Sequence, residues 1–140
     1  MKKTLIFVTS TLLTVSALIS TAASAAAPAP LTLPSGVTVQ ELRAGTGASP
    51  AATDTVTVNY QGTLANGTVF DSSYKRGEPT SFPLNRVVPC WTQGMQKMKV
   101  GEKARLVCPP ATAYGDNGVP GVIPAGSTLT FDVELLSIQH

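Results

Sequence analysis

The sequence predicts an α+β domain in which about five antiparallel strands curl over one short helix. Along several segments apolar and polar residues alternate with a period of two, which is typical of strands with one solvated face. Helical spacing is confined to one segment, where Trp91, Met95 and Met98 stand at i, i+4 and i+7. With 140 residues, the chain is long enough to close one such core as a single domain.

The first 25 residues have the three parts of a secretory signal peptide. Lys2 and Lys3 form a cationic start, an apolar run follows, and Ala23 and Ala25 supply the small residues that suit signal peptidase. The run carries interspersed Thr and Ser and is too short for a permanent membrane span. We therefore expect cleavage after Ala25, a periplasmic or secreted mature protein, and no membrane attachment after cleavage.

Residues 26–35 consist mainly of Ala, Pro, Leu and Thr and are predicted to form an extended tether. The folded domain is expected to span residues 36–140. Asn66-Gly67 predicts a hairpin turn, because both residues tolerate positive φ. The predicted strands cover residues 37–42, the alternating segment with Val56, Val58 and Tyr60, a short segment around Phe82, residues 104–108 and residues 129–135.

The helix is predicted to be about ten residues long. Pro89 suits its first turn, and Gly101 lies just beyond its end. A helix of this length covers one face of one sheet.

Several kinds of chemistry are not expected. Without the leader the chain has eight basic and eight acidic residues, so a nucleic-acid partner is disfavoured. The only histidine is His140, the last residue, which argues against a nucleophilic triad. No ligand cluster with zinc spacing and no glycine-rich phosphate loop is present, so we expect neither a metal nor a cofactor. In an oxidising compartment Cys90 and Cys108 favour a disulfide, with two separate buried thiols as the alternative.

Aromatic residues are the remaining candidates for a site. They could simply form the core, but the polar ends of Tyr60, Trp91 and Tyr114 need partners if they are buried. Asp71 directly follows Phe70 and is either a turn residue or a carboxylate beside an aromatic wall. The seven aromatics after the leader are Tyr60, Phe70, Tyr74, Phe82, Trp91, Tyr114 and Phe131.

Five blocks of sequence occur in one order between about Val37 and the C terminus. They are VNYQGTL (58–64), GTVFDSS (67–73), VVPCW (87–91), AYG (113–115) and IPAGSTLTFDVEL (123–135). Together they resemble the FKBP-type peptidyl-prolyl cis-trans isomerases. The resemblance implies a twisted antiparallel sheet wrapped around the short helix, with an apolar proline-binding cavity between them.

The resemblance also implies roles for individual residues. Asp71, Tyr114 and Val88 would be catalytic: the N–H of Val88 and the hydroxyl of Tyr114 would donate hydrogen bonds to substrate carbonyls, and Asp71 would lie beside the rotating amide. Trp91 would form the floor under the proline ring. The implied fold places Cys90, at the start of the helix, against Cys108. The implied substrate-binding residues are Tyr60, Phe70, Phe82, Val87, Trp91, Ile123 and Phe131.

The chain departs from the family pattern at three positions. Thr80 stands where many relatives have a second aromatic on the rim, Val119 replaces a frequent histidine, and Cys90 replaces a frequent glycine. We expect the first two to alter rim contacts and sequence preference. No helical dimerisation segment precedes the domain, so a monomer is expected.

The resulting hypothesis is an exported prolyl isomerase that acts on proline-containing unfolded or folding polypeptides. Macrolide inhibitors such as rapamycin are candidate ligands. The alternative is a non-catalytic polypeptide-binding chaperone module on the same fold. A β-rich binder of single-stranded nucleic acid is a third hypothesis, which the neutral mature chain disfavours.

Overall fold

The computed structural model describes residues 29–140, so the predicted signal peptide lies outside the described residues. One antiparallel sheet contains all seven strands. They are β1 (Leu31–Thr32), β2 (Thr38–Arg43), β3 (Thr55–Thr63), β4 (Val69–Ser72), β5 (Thr80–Pro83), β6 (Lys103–Cys108) and β7 (Leu129–Gln139). Their order is β1-β2-β6-β7-β3-β4, and β5 also pairs with β3.

The helical elements are short. Helix α1 (Ser73–Arg76) follows β4, and helix α2 (Pro89–Met95) precedes β6. Single 3₁₀ turns cover Leu84–Arg86 and Pro110–Thr112. An antiparallel sheet with one principal helix confirms the predicted α+β class.

The sheet has two strands beyond the five or so predicted: β1, which lies in the predicted tether, and β4, which follows the Asn66-Gly67 turn. Two short strands share one edge of β3. The C-terminal half of β3 pairs with β4, and its N-terminal half pairs with β5. Helix α1 lies in the chain between them. Strand β3 also pairs along its full length with β7 on its other edge, so it is the centre of this half of the sheet.

Residues 31–35 depart from the predicted tether. Leu31 and Thr32 pair with β2, and Leu33 is buried in the core. The Leu33 N–H donates to the carbonyl of Val37, which closes the turn into β2. An apolar side chain and backbone hydrogen bonds therefore attach this segment to the sheet, so the packed region begins before Gly36.

The core lies between α2 and one face of the sheet. In β3 the inward residues Val56, Val58 and Tyr60 are buried, as their alternation predicted. Gly94 allows close approach of the helix, because a Cβ there would lie 3.1 Å from a methyl carbon of Leu106. The predicted hairpin is also present, with Gly67 at φ 87°.

Helix α2 is shorter than the ten residues predicted. It ends at Met95, after which the N–H groups of Lys97 and Met98 donate to Gly94 and Met95. These i→i−3 bonds form a tighter turn than an α-helix. Met98 is fully buried although it lies beyond the end of the helix. Its place in the apolar pattern therefore indicates that the residue is buried, not that it is helical.

Cys90 and Cys108 are joined as a disulfide in the structure, with Cα atoms 5.6 Å apart. Both residues are fully buried. Cys90 lies in the first turn of α2 and Cys108 is the last residue of β6. The bond therefore ties the start of the helix to the sheet across 18 residues of sequence.

We predict that this disulfide is a stabilising element. For a closed loop of this size the chain-entropy model gives about 3 kcal/mol, which corresponds to a fall in Tm on the order of 10 °C on reduction. Thermal melts with and without a reductant measure the change. Thiol titration of the unfolded, non-reduced protein should find no free cysteine, and two reactive thiols would contradict the prediction.

Candidate active site

A cavity of about 500 Å³ opens beside the start of α2. Strands β3, β4, β5 and β7 supply Tyr60, Phe70, Asp71, Phe82 and Phe131 to its walls. The segment that enters α2 supplies Arg86, Val87, Val88 and Trp91, and the loop before β7 supplies Tyr114. Most of these side chains are apolar, so the cavity suits a small apolar group.

The indole of Trp91 is the centre of the aromatic packing. The rings of Tyr60, Phe82 and Phe131 each meet it edge to face, with centroids 5.1, 5.4 and 5.3 Å away. These distances and angles are those that aromatic pairs prefer. Among residues 29–140, Trp91 Nε1 has no hydrogen-bond partner, which differs from the sequence expectation for a buried indole.

Phe70 and Phe131 extend the wall over a glycine. Their centroids lie 5.6 Å apart, again edge to face. Gly62 lies beneath both rings, because a Cβ there would be 2.5 Å from Phe70 Cζ and 2.8 Å from Phe131 Cε1. A side chain at this position would displace both rings into the cavity.

Asp71 is the polar group of the cavity, and both of its carboxylate oxygens are hydrogen-bonded. The Tyr60 hydroxyl donates to Oδ2 at 2.5 Å, and Arg76 Nη1 donates to Oδ1 at 2.5 Å. Arg76 Nη2 also donates to the Tyr60 hydroxyl at 3.0 Å and to Thr80 Oγ1 at 3.2 Å. The four side chains form one network that fixes the carboxylate.

Helix α1 positions Arg76 for this network. The Ser72 hydroxyl accepts from the N–H of Lys75 at its start, and Gly77 ends it at φ 76°. Ser73 Oγ accepts from the N–H of Tyr60, which binds α1 to β3. Arg76 was not predicted as a site residue, although Ser at the N-cap and Gly at the C-cap of this helical turn could have indicated it.

The network changes the pKa values of its members. Burial alone would raise the pKa of Asp71, but hydrogen bonds from Tyr60 and Arg76 and the guanidinium charge lower it overall. Burial and the bond to Asp71 raise the pKa of Tyr60. Hydrogen bonds to Tyr60 and Asp71 raise that of Arg76. At neutral pH the site therefore holds a carboxylate, a neutral phenol and a guanidinium.

Two hydrogen-bond donors at the cavity are unused. The Val88 carbonyl accepts from Trp91 and Thr92, whereas its N–H has no partner among residues 29–140. The Tyr114 hydroxyl also has none in that part of the chain, and its side chain is exposed. Both groups are available to an incoming ligand.

Nine of the ten predicted pocket residues line this cavity. Ile123 does not: it is buried, and its backbone pairs with Val119. Its contact with substrate stays a prediction. Arg86 lines the cavity but was not predicted, because no alternation or motif singles out one exposed arginine. His140 contacts Asp54 at 3.0 Å, so the last residue has a defined partner away from the cavity lining.

Within residues 29–140, no group of three or more His, Cys, Asp or Glu side chains is placed to hold a metal ion. The helices of that same region are all too short or too polar to cross a bilayer.

The fold and the cavity define a small sheet-and-helix domain that can receive one apolar ring against an indole. A model of the family described as FKBP-type peptidyl-prolyl cis-trans isomerase matches residues 47–136. The chain belongs to that family.

Similar proteins and structures agree with this assignment. FkpA of Escherichia coli is 55% identical over 104 residues, which cover 74% of this chain and 38% of FkpA. FK506-binding protein 1 of Rhizopus delemar is 49% identical over 107 residues, which cover 74% of this chain and 99% of that protein. The crystal structure of E. coli FkpA has a TM-score of 0.76 at 52% identity and covers 79% of this chain and 51% of that one. The chain thus spans about two fifths of the FkpA sequence.

We predict that Arg76 sets the ionisation of Asp71. Because the folded pKa of Asp71 is lowered, its carboxylate stabilises the fold above its ordinary pKa of about 3.9. That stability is lost as the pH falls through the lower folded value. Arg76→Gln should raise the pKa of Asp71, measured by NMR titration of its side-chain carboxyl carbon.

Arg105→Gln is the matched control. It removes another exposed ion pair, that of Arg105 with Asp132 at 2.8 Å, which lies outside the network. It should leave the titration of Asp71 unchanged. An unchanged pKa of Asp71 in Arg76→Gln would contradict the prediction.

Proposed function

We propose that this chain accelerates cis-trans isomerisation of X-Pro bonds, without a covalent intermediate or a cofactor. The supporting observation is the cavity itself: an indole floor, an aromatic wall, two unused donors and one fixed carboxylate. A proline ring is an apolar group of suitable size, and its amide can lie at the rim among the polar groups. Membership of the isomerase family supports the same function.

The reaction needs little chemistry from the protein. An X-Pro bond prefers trans by only about 0.5–1 kcal/mol, but rotation breaks amide resonance against a barrier of about 18–20 kcal/mol. At the twisted transition state the carbonyl and the nitrogen are decoupled, and the group is less charge-separated than the planar amide. A cavity that binds the twisted form more tightly than the planar form therefore lowers the barrier.

Each proposed catalytic residue has a separate role. Trp91 and the surrounding rings hold the proline ring, so that rotation takes place about a fixed axis. The Val88 N–H and the Tyr114 hydroxyl donate hydrogen bonds to substrate carbonyls and hold the chain on either side of the bond. Asp71 lies beside the amide, held by Tyr60 and Arg76.

We predict that single substitutions separate catalysis from folding. Asp71→Leu should slow isomerisation of a proline peptide substantially, because the polar group held beside the rotating amide is lost. Tyr114→Phe should slow it by about two- to tenfold, the range for one hydrogen bond. Trp91→Ala should also lower the free energy of unfolding by about 3–5 kcal/mol, because it removes a large buried aromatic. Relaxation kinetics of the peptide and thermal melts measure the two effects.

Tyr74→Phe is the matched control for Tyr114→Phe. Tyr74 is 44% exposed against 40% for Tyr114, but it does not line the cavity. It should keep the native rate. If the native protein leaves the peptide at its uncatalysed rate, isomerase activity is refuted and a polypeptide-binding module on this fold is favoured.

We propose that the natural substrates are proline-containing polypeptides that fold after export. The Lys-Lys leader, the apolar run and the small residues before position 26 support export. We predict a mature protein that begins at Ala26, with the intact mass of the exported protein as the measurement. A mass that retains residues 1–25 would contradict both cleavage and release.

We propose macrolides as ligands of the same cavity. The Rhizopus relative is named for binding FK506, and the aromatic floor of this cavity suits a ring that replaces proline. Thr80 and Val119 are expected to change rim contacts with such ligands and with peptides. For the oligomeric state we propose a monomer.

A further inference from the structure

The ion pair that holds Asp71 lies at the surface and needs further support. It joins Arg76 Nη1 to Asp71 Oδ1 at 2.5 Å, and the two side chains are 43% and 41% exposed. An exposed ion pair contributes little by itself, because the arginine loses rotamer freedom and water screens the charges. Such a pair fixes a carboxylate only where additional hydrogen bonds hold the guanidinium in one orientation.

The second terminal nitrogen of Arg76 has two acceptors. Arg76 Nη2 donates to the Tyr60 hydroxyl at 3.0 Å and to Thr80 Oγ1 at 3.2 Å. This nitrogen carries two hydrogens, so each acceptor can take one of them. The Tyr60 hydroxyl is itself a donor to Asp71, whereas Thr80 Oγ1 bonds to neither of those two side chains. Thr80 therefore holds the guanidinium from outside the pair that it orients.

Thr80 has a fixed position in the sheet. It is the first residue of β5, which pairs with β3. The next residue, Ser81, lies opposite Thr57 of β3, and their hydroxyl groups are hydrogen-bonded at 2.8 Å. Thr80 and Phe82 share the half-buried side of β5, but Phe82 lines the cavity and Thr80 does not. The Thr80 hydroxyl therefore acts on the cavity through Arg76.

We infer that Thr80 is a positioning residue for isomerisation, because its hydroxyl holds the Arg76 guanidinium in the orientation that fixes the Asp71 carboxylate. This inference rests on the proposed isomerase function. The sequence predicts altered rim contacts at Thr80, where many relatives have an aromatic residue. A ring without a hydroxyl cannot accept the hydrogen bond from Arg76. The anchor on the guanidinium is therefore a consequence of the threonine that this chain has at position 80.

The first measurement is the titration of Asp71, followed by NMR of its side-chain carboxyl carbon. Thr80→Val removes the hydroxyl and keeps the shape of the side chain, whereas Thr80→Ser keeps the hydroxyl. We expect the pKa of Asp71 to rise in Thr80→Val, because the guanidinium is less firmly held, and to stay native in Thr80→Ser. In an Arg76→Gln background Thr80→Val should cause no further rise, because the two residues act through one interaction.

The second measurement separates positioning from substrate binding. Because Thr80 does not line the cavity, Thr80→Val should lower kcat for a proline peptide and leave KM near its native value. The expected fall in kcat is about two- to fivefold, within the range for the loss of one hydrogen bond. Thr80→Ser should recover the native kcat.

Thr57→Val is the matched control. Thr57 is also a half-buried threonine in a strand, and its hydroxyl is hydrogen-bonded to Ser81, but it does not line the cavity. It should keep the native kcat and the native pKa of Asp71. A native pKa or a native kcat in Thr80→Val, or a loss that Thr80→Ser does not restore, would overturn the inference and leave the isomerase function standing. If the native protein does not accelerate the peptide, the proposed function and the inference fall together.

Discussion

The packing of three rings around Trp91 is the interaction on which the rest of the structure depends. Tyr60, Phe82 and Phe131 come from strands β3, β5 and β7, so one indole on α2 joins the helix to three strands. Each ring meets the indole nearly at a right angle, at 84°, 89° and 87°. The four rings that hold the helix on the sheet also line the cavity. The disulfide at Cys90 ties the start of the same helix to β6.

A cavity built from aromatic rings is a poor environment for a charge, and Asp71 shows how the fold reconciles the two. Burial disfavours its carboxylate, yet its pKa is lowered because Tyr60 and Arg76 donate to it. Both donors are local: Tyr60 is on the neighbouring strand β3, and Arg76 follows five residues later on α1. The short helix α1 between β4 and β5 thus supplies the arginine that keeps Asp71 ionised in a mostly apolar site. It also explains why β3 has two short partners on one edge rather than one long one.

The sequence predicted the elements whose side chains alternate between core and solvent, such as β3, β6 and β7. The predictions were wrong where backbone hydrogen bonds, rather than side-chain alternation, determine the structure. Leu31–Thr32 pairs with β2 although its composition resembles a linker, and α2 stops at Met95 although Met98 continues the apolar spacing. The aromatic pocket could be predicted from family motifs, because its residues occur in recognisable blocks. Arg76 and Arg86 could not be predicted as site residues. What an exposed arginine contacts depends on which residues the fold places next to it.

Gly62 shows how closely the width of the cavity is tied to the sheet. It lies inside β3, opposite Asp71 on β4 and Phe131 on β7. Glycine within a strand weakens it, so the position needs a compensating reason. The reason is contact: the rings of Phe70 and Phe131 occupy the space where a Cβ would stand. Because both rings lie directly against the Gly62 backbone, a residue with a side chain there would force them to move. The glycine therefore weakens the strand, but it lets Phe70 and Phe131 pack against the sheet and form the cavity wall without a clash.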